Sequence, residues 1–202
     1  MILVTCAVGA EMPFFRSEPG VEMLVSGVGV VEASAAVSRA LAQSSYDLIV
    51  SAGIAGAFSG AAEIGEGVVV AEDRLDLGLE TGLPLQLPEG TSVVNRVSSD
   101  LTLVDRLVEA GFRSVRGITV THVTALDGTA GKLRSSGAEV ESMEGFGVLR
   151  AAEIAGVPAI EVRGISNLAG DRARSGWDFD AGVRGLQKIL TSLLSLVARN
   201  EP

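Results

Sequence analysis

The sequence has 202 residues but only one cysteine, one histidine and eight aromatic residues (six Phe, one Trp and one Tyr). One cysteine cannot form an intramolecular disulfide, and with one histidine it cannot supply the usual ligand set of a zinc site. Scarce cysteine is typical of reducing compartments, so we expect a cytoplasmic location. Basic residues are also few: 16 Lys and Arg against 25 Asp and Glu give a formal charge of −9. This charge argues against a nucleic-acid partner, because binding to phosphates needs a basic surface.

Long hydrophobic runs are absent as well. Charged residues interrupt every stretch that approaches the roughly 18 apolar residues of a membrane span. The first residues also lack the basic start of a signal peptide, so we expect no membrane partner. Hydrophobic residues still make up 47% of the chain, which is too many for a disordered protein. Length and composition together predict a single domain over residues 1–202.

Glycine is in excess, with 25 residues, which indicates tight turns or backbone that comes close to a small molecule. Apolar runs alternate with amphipathic segments, and this alternation predicts an α/β fold with helices on both faces of a largely parallel sheet. The predicted strands are 2–8, 21–26, 47–52, 67–72, 113–123, 138–143 and 159–166. The predicted helices are 30–41, 98–110 with Ser98 as its N-cap, 129–135, 145–155 and 178–199, and a long loop is expected at 74–89.

Six segments at predicted strand ends carry the candidate functional residues. Ligands of α/β proteins bind beyond the carboxyl ends of the strands, so we expect these segments to lie close together. They are residues 9–11, 27–29, 53–56, 123–124, 143–144 and 166–167.

Two acids in these segments, Glu11 and Glu144, could work as a pair. One carboxylate can accept hydrogen bonds from a sugar cis-diol, while the other activates water as a general base. Either acid could instead be structural, Glu11 as a solvated loop residue and Glu144 as a residue at a helix start.

Asn167 follows the last predicted strand. Its amide oxygen can accept a hydrogen bond from a ring N–H, and its NH2 group can donate to a carbonyl, which fits N7–H and O6 of a 6-oxopurine. A turn or cap role remains open for this residue. Arg172 and Arg174 stand near Trp177 in a loop, either on the surface or as an anion site with an aromatic wall.

Two further features have simpler interpretations. The glycines at 27 and 29 match a dinucleotide fingerprint poorly, because Glu32 stands where that motif needs Gly or Ala. An oxidoreductase is therefore disfavoured. Cys6 lies in an apolar strand and is expected to be a buried, inert thiol.

Taken in order, these segments resemble the nucleoside phosphorylase/nucleosidase superfamily. The resemblance implies a three-layer α/β/α fold with a mixed, mostly parallel sheet, and cleavage of the N-glycosidic bond of a small nucleoside. It implies no cofactor and no metal, and commonly a homo-oligomer, dimer or tetramer, for which the apolar loop 75–87 is a candidate contact. The matching segments are SGVGVVEASAA (26–36), SAGIAGAF (51–58), VESMEGFGVLRAAEIAGVP (140–158) and EVRGISNLAGDR (161–172).

The resemblance also implies roles for individual residues. Glu144 matches the acid that holds the ribose hydroxyls, Met143 a residue beside the sugar, and Glu11 the acid associated with the attacking water. Asn167 stands where adenine-specific nucleosidases carry Asp. Arg172 is the candidate for pairing with a carboxylate at the far end of the substrate. The other implied pocket positions are Val28, Ile54, Ala55, Gly56, Val123 and Thr124.

Departures from the superfamily pattern favour water as the nucleophile. Ile54 replaces a Ser or Thr that helps to bind phosphate in phosphorylases, and no Arg immediately precedes Ser51. The leading hypothesis is therefore a nucleosidase that releases hypoxanthine. The alternatives are a methylthioadenosine/S-adenosylhomocysteine-type nucleosidase, a purine nucleoside phosphorylase and a non-catalytic nucleoside-binding sensor.

Overall fold

The computed structural model describes residues 1–16, 18–78, 87–170 and 176–198, and in this part of the chain a central sheet is flanked by helices. The strands are β1 (Ile2–Cys6), β2 (Val21–Val25), β3 (Leu48–Ala57), β4 (Gly67–Leu75), β5 (Arg96–Ser98), β6 (Arg113–Thr119), β7 (Val140–Ser142) and β8 (Ala159–Leu168). The helices are α1 (Val30–Gln43), α2 (Leu101–Glu109), α3 (Asp127–Ser135), α4 (Gly145–Ala155) and α5 (Phe179–Ala198).

The sheet is mixed and mostly parallel, as predicted. Parallel pairs join β1 to β2 and β3, β3 to β8, and β6 to β4 and β7. Antiparallel pairs join β3 to β7, and β4 to β5 and β8. The strands β3, β8, β4, β6 and β7 thus pair in a closed circuit, so this half of the sheet is a small barrel.

Two hydrophobic cores lie on opposite faces of the sheet. On β1 and β3, Leu3 and Ile49 pack with residues of α1 and α4, whereas the next residues, Val4 and Val50, pack with α2 and α5. This alternation follows from the period of two in a strand. The α/β/α layering predicted from the sequence is therefore confirmed.

Strands β3 and β8 are longer than predicted. The expected breaks at Gly53 and after Ser166 do not end them, because the two strands stay paired as far as Ala57 and Leu168. Residues 53–56 and Asn167 accordingly lie inside strands rather than in loops. The prediction that β3 ends before Gly53 was wrong, because this glycine inside the strand was interpreted as the end of the strand.

Other boundaries differ less. Helix α2 begins after Asp100, whose side chain caps the Leu103 N–H at 3.0 Å, whereas Ser98 was the predicted cap and belongs to the unpredicted strand β5. Strand β4 continues to Leu75, so it extends into the loop that was expected at 74–89. Residues 79–86 of that loop lie outside the described residues. Within the described part of the chain, no helix is both long enough and apolar enough to cross a membrane.

Candidate active site

A cavity of about 360 Å³ opens where the six predicted segments meet. Thr124 does not line it: this residue is buried, and its backbone N–H donates to Glu141 Oε1 at 3.2 Å. Arg172, Arg174 and most of their loop lie outside the described residues. The predicted residues that line the cavity are Glu11, Val28, Ile54, Ala55, Gly56, Val123, Met143, Glu144 and Asn167.

The backbone holds the Glu11 carboxylate on both of its oxygens. The residue ends a short 3-10 turn, Gly9–Glu11, that follows β1. Its Oε2 accepts the N–H groups of Ala7 and Val8 at 3.0 and 3.1 Å, and its Oε1 accepts the Ile54 N–H at 3.0 Å. These bonds tie the end of β1 to β3 and fix the carboxylate at the cavity wall.

Glu144 lies immediately before the first turn of α4 and is 8% exposed. Its Oε1 accepts the Gly29 N–H at 2.9 Å, across 115 residues of sequence. Gly29 has φ of +99° at the start of α1, a conformation that glycine adopts without steric cost. The glycine turn at residues 27–29, which does not match the dinucleotide-binding motif, therefore donates a backbone hydrogen bond to an acid of the cavity.

Arg163 is a buried cation behind both acids, and the sequence analysis missed it. Its side chain is 2% exposed, and Nε donates to Glu161 Oε1 at 2.8 Å. Its Nη1 lies 3.9 Å from Glu144 Oε2, and Nη2 donates to Ser51 Oγ at 3.2 Å. The sequence did contain a signal for Arg163: it is a charged residue inside a mostly apolar predicted strand. Such a residue is expected to be buried and paired with opposite charges, since a buried charge needs partners.

Glycine at position 53 leaves room for this cation. A Cβ atom there would lie 2.5 Å from Arg163 Nη1 and 3.0 Å from Glu11 Oε1. The guanidinium and the carboxylate thus occupy the space above β3 that a larger residue would fill. This close packing explains why β3 carries a glycine in its interior.

The local environment shifts the pKa values of two of these groups. Burial raises the pKa of Glu11, and Glu144 adds to this, although backbone hydrogen bonds and Arg163 oppose the shift. Burial lowers the pKa of the Arg163 guanidinium, but the carboxylates of Glu161, Glu144 and Glu11 outweigh burial and raise it overall. Glu11 is therefore a stronger base than an exposed glutamate.

The cavity lining also includes an amide and two aromatic rings. The Ser166 hydroxyl lies 2.9 Å from Asn167 Oδ1, and Nδ2 of Asn167 lies 3.0 Å from where a Cβ on Gly56 would be. Trp177 and Phe179 also line the cavity, with their rings in an edge-to-face arrangement at 5.7 Å. Phe179 and Glu141 were not predicted at the site, Ser166 was expected there only as a member of the segment 166–167, and Trp177 had been considered as an aromatic wall.

A second, larger cavity of about 670 Å³ lies elsewhere, between Phe14, Phe15 and the end of α5. No predicted site residue lines it, and its two acids, Glu18 and Asp47, are both exposed. Among the described residues, no group of three or more His, Cys, Asp or Glu side chains could hold a metal ion. We therefore assign the candidate active site to the smaller cavity.

Comparison with known proteins identifies the family. The profile of the Phosphorylase superfamily matches residues 5–199 of this chain. The chain belongs to this superfamily. The resemblance carried by the motifs around Glu144 and Asn167 is thereby confirmed.

Curated members of the superfamily are similar over most of the chain. The futalosine hydrolase of Streptomyces coelicolor is 36% identical over 199 residues, covering 93% of this chain and 84% of its own length. The futalosine hydrolase of Thermus thermophilus is 32% identical over 205 residues, covering 92% and 91%.

Solved structures of two nucleosidases share the fold. The 5′-methylthioadenosine/S-adenosylhomocysteine nucleosidase of Helicobacter pylori, bound to butyl-thio-DADMe-Immucillin-A, has a TM-score of 0.81 at 17% identity and covers 96% of this chain and 97% of its own. The Neisseria meningitidis nucleosidase, bound to methylthio-immucillin-A, has a TM-score of 0.79 at 16% identity and covers 96% and 98%.

Proposed function

We propose that the protein is a nucleosidase that hydrolyses the N-glycosidic bond of futalosine, a step of the futalosine route to menaquinone. Its products are hypoxanthine and dehypoxanthine futalosine. The observation that carries the proposal is the meeting of Glu11, Glu144 and Asn167 in one cavity. The futalosine hydrolases that match most of the chain support the choice of substrate.

At the sugar, Glu144 holds the 2′- and 3′-hydroxyls. Its carboxylate receives the Gly29 N–H on Oε1 and faces Arg163 on Oε2, and it keeps lone pairs for further donors. As the C1′–N9 bond stretches, positive charge develops on the sugar, and a fixed carboxylate stabilises it by about 2–4 kcal/mol.

Glu11 activates the water. Its three backbone hydrogen bonds hold the carboxylate in place, and its raised pKa makes it a better proton acceptor. The water oxygen forms a bond to C1′ while the C1′–N9 bond breaks, and the water proton passes to Glu11. The departing base takes a proton from solvent.

Asn167 binds the base. With Ser166 beside Oδ1, the amide donates a hydrogen bond to O6 and, once the departing base has taken its proton at N7, accepts one from N7–H. The 6-amino group of adenine is a donor, so it cannot accept the second bond. This pairing supports a 6-oxopurine base over adenine.

Purified protein incubated with futalosine, with and without phosphate, tests the proposal. We expect hypoxanthine at the same rate in both cases, and Glu144→Ala lowers kcat by about 10²–10³-fold. Exposed Glu32→Gln in α1 is the matched control. Release of hypoxanthine that requires phosphate would indicate a phosphorylase. A preference for methylthioadenosine would indicate an adenine nucleosidase, and binding of futalosine without turnover would indicate a sensor.

We also infer that copies of the chain associate beside the cavity, as the resemblance implies. Large apolar side chains are exposed near its mouth: Val28 is 54% exposed, Val123 40% and Trp177 64%. Such a concentration of exposed apolar surface supports a protein contact. Light scattering of the purified protein is expected to give the mass of a dimer or tetramer, and a monomer at micromolar concentration would contradict this inference.

A further inference from the structure

Behind the cavity, Asp73 of β4 and Glu161 of β8 lie side by side in the interior. Asp73 is fully buried and Glu161 is 1% exposed. A Cβ atom on Gly145, the first residue of α4, would lie 2.3 Å from Asp73 Oδ2 and 2.3 and 2.4 Å from the two Glu161 oxygens. Neither acid is among the described residues that line the cavity, so neither has a part in the mechanism above.

Two adjacent buried carboxylates cannot both be charged without a large energetic cost. Within the described part of the chain, Asp73 Oδ1 and Glu161 Oε2 have no hydrogen-bond partner. Beside Gly145, where Asp73 Oδ2 and the Glu161 oxygens converge, a proton held between the two carboxyl groups would give Glu161 Oε2 a partner and remove one charge. Consistently, burial raises the pKa of Asp73 well above its usual value, and Glu161 adds to the rise.

The two charged groups that act on Asp73 directly lie on one strand, β8, and two further acids lie beyond them. Glu161 and Arg163 of β8 act on it directly, and Glu144 and Glu11 lie beyond Arg163. Strand β6 contributes the uncharged Thr119, and α4 contributes its N-terminus at Gly145.

The acid pair is connected to Glu144 from two sides. Glu161 binds Arg163 Nε at 2.8 Å, and Arg163 Nη1 faces Glu144 at 3.9 Å. On the other side, the Thr119 hydroxyl donates to Asp73 Oδ2 at 2.7 Å and accepts the Phe146 N–H at 2.8 Å. Phe146 belongs to the first turn of α4, which directly follows Glu144.

We propose that Asp73 and Glu161 form a positioning pair that shares one proton and so presents a single negative charge to Arg163. That charge holds the guanidinium against Glu144, and the Thr119 bridge holds the start of α4. Loss of the shared proton adds a second negative charge, which pulls Arg163 away from Glu144 and lowers the rate. The catalytic consequence rests on the proposed function, whereas the shared proton does not.

The kinetic test compares the pH profiles of kcat and KM for futalosine cleavage. We expect wild-type kcat to fall on the alkaline side as the pair loses its proton. Asp73→Asn keeps a donor toward Glu161 but cannot ionise, so its kcat stays on the plateau there. Glu161→Gln removes the carboxylate partner of Arg163 and lowers kcat by about 10- to 100-fold, because a small misplacement of a catalytic group can cost about 10²-fold in rate. The control is Glu72→Gln. Glu72 lies next to Asp73 in β4, and its exposed carboxylate pairs with Arg96. The pH profile of this variant should match that of wild type.

A spectroscopic test needs no substrate. At neutral pH, wild-type protein is expected to show the infrared carbonyl band of a protonated carboxylic acid, and Asp73→Asn to lack it. Absence of this band from wild type would overturn the shared proton even if neither variant folds. An unchanged alkaline limb in Asp73→Asn, or wild-type kcat in Glu161→Gln, would overturn the positioning role. If wild type shows the band but does not cleave futalosine, the proposed function fails and the shared proton stands.

Discussion

At the scale of the residue, Glu11 combines firm positioning with enhanced basicity. Hydrogen bonds from Ala7, Val8 and Ile54 hold its two oxygens. These bonds stabilise the charged form, yet burial dominates and raises the pKa. The residue is therefore both oriented toward the cavity and able to accept a proton in the course of a reaction.

A pH prediction follows from this shift. Because Glu11 must be deprotonated to act as a base, kcat/KM of wild type is expected to fall as the pH drops through the raised pKa. The acidic limb should thus lie above 4.5, the ordinary value for Glu. Glu11→Gln should lower kcat by about 10²–10⁴-fold and remove this limb from the residual activity. Steady-state assays across pH would measure both effects, and an identical limb in the variant would assign it to another group.

A second residue-scale prediction concerns base selection by Asn167. Asn167→Asp replaces the NH2 donor by a second oxygen, which can no longer donate to O6 of hypoxanthine. The ratio of kcat/KM values for the 6-amino and 6-oxo nucleosides is expected to rise by about 10-fold or more, since unmatched buried polar groups discriminate strongly. The assay uses futalosine and its 6-amino analogue with each protein. An unchanged ratio would contradict the proposed role of Asn167.

At the scale of the element, β8 and α5 approach each other unusually closely. A Cβ atom on Gly164 would lie 1.9 Å from the Gly182 carbonyl oxygen and 2.5 Å from the Leu186 backbone nitrogen. The absence of a side chain thus sets the distance between this strand and this helix. Because β8 also carries Glu161, Arg163 and Asn167, the packing of α5 determines where these three residues lie.

Gly164→Ala is therefore expected to reduce the free energy of unfolding by about 3 kcal/mol, because the backbone of α5 cannot move aside cheaply. Gly131→Ala is the matched control. A Cβ at this position in α3 meets no atom within 4 Å, so the substitution should stabilise the protein by about 0.5–1 kcal/mol. Urea unfolding followed by circular dichroism gives both values. Equal stability of the two variants would show that α5 yields to the methyl group.

The helices were predicted better than the long strands at this scale. The α4 boundaries were predicted correctly because the helix is followed by Pro158 and by Gly156, which takes the left-handed conformation at φ of +70°. The end of β3 was predicted five residues too early, at residue 52 instead of Ala57. Its extension depends on pairing with β8, more than 100 residues away, and local propensity contains no information about such a partner.

At the scale of the whole molecule, the first strand lies between the two cores and contributes residues to both. Cys6 is 2% exposed and packs with α2 and α5 residues. Burial, with a further contribution from Glu11, raises the pKa of its thiol to about 12. Since the thiolate is the reactive form, the folded protein should protect this residue.

Cys6 is the sole cysteine, so its labelling reports global unfolding. In native protein at pH 8 we expect almost no reaction with a thiol reagent, because a pKa of about 12 leaves about one thiolate in ten thousand molecules. In unfolding concentrations of urea, one thiol per chain should react rapidly. Rapid labelling of the native protein would show instead that β1 opens locally.

The sequence by itself determined the superfamily, the α/β layering and the residues that line the cavity from the ends of β1 and β7. These depend on local information: hydrophobic period, glycine at turns, and short motifs around Glu144 and Asn167. Such patterns can be predicted from the sequence because each is formed within a few residues.

The tertiary structure alone decided how the charges behind the cavity are paired. Asp73, Glu161 and Arg163 come from β4 and β8, and only their antiparallel pairing brings residues some 90 positions apart into one buried group. The same holds for Glu144 and Gly29, separated by 115 residues. Whether a carboxylate is charged depends on burial and on its neighbours, and both arise only when distant strands meet.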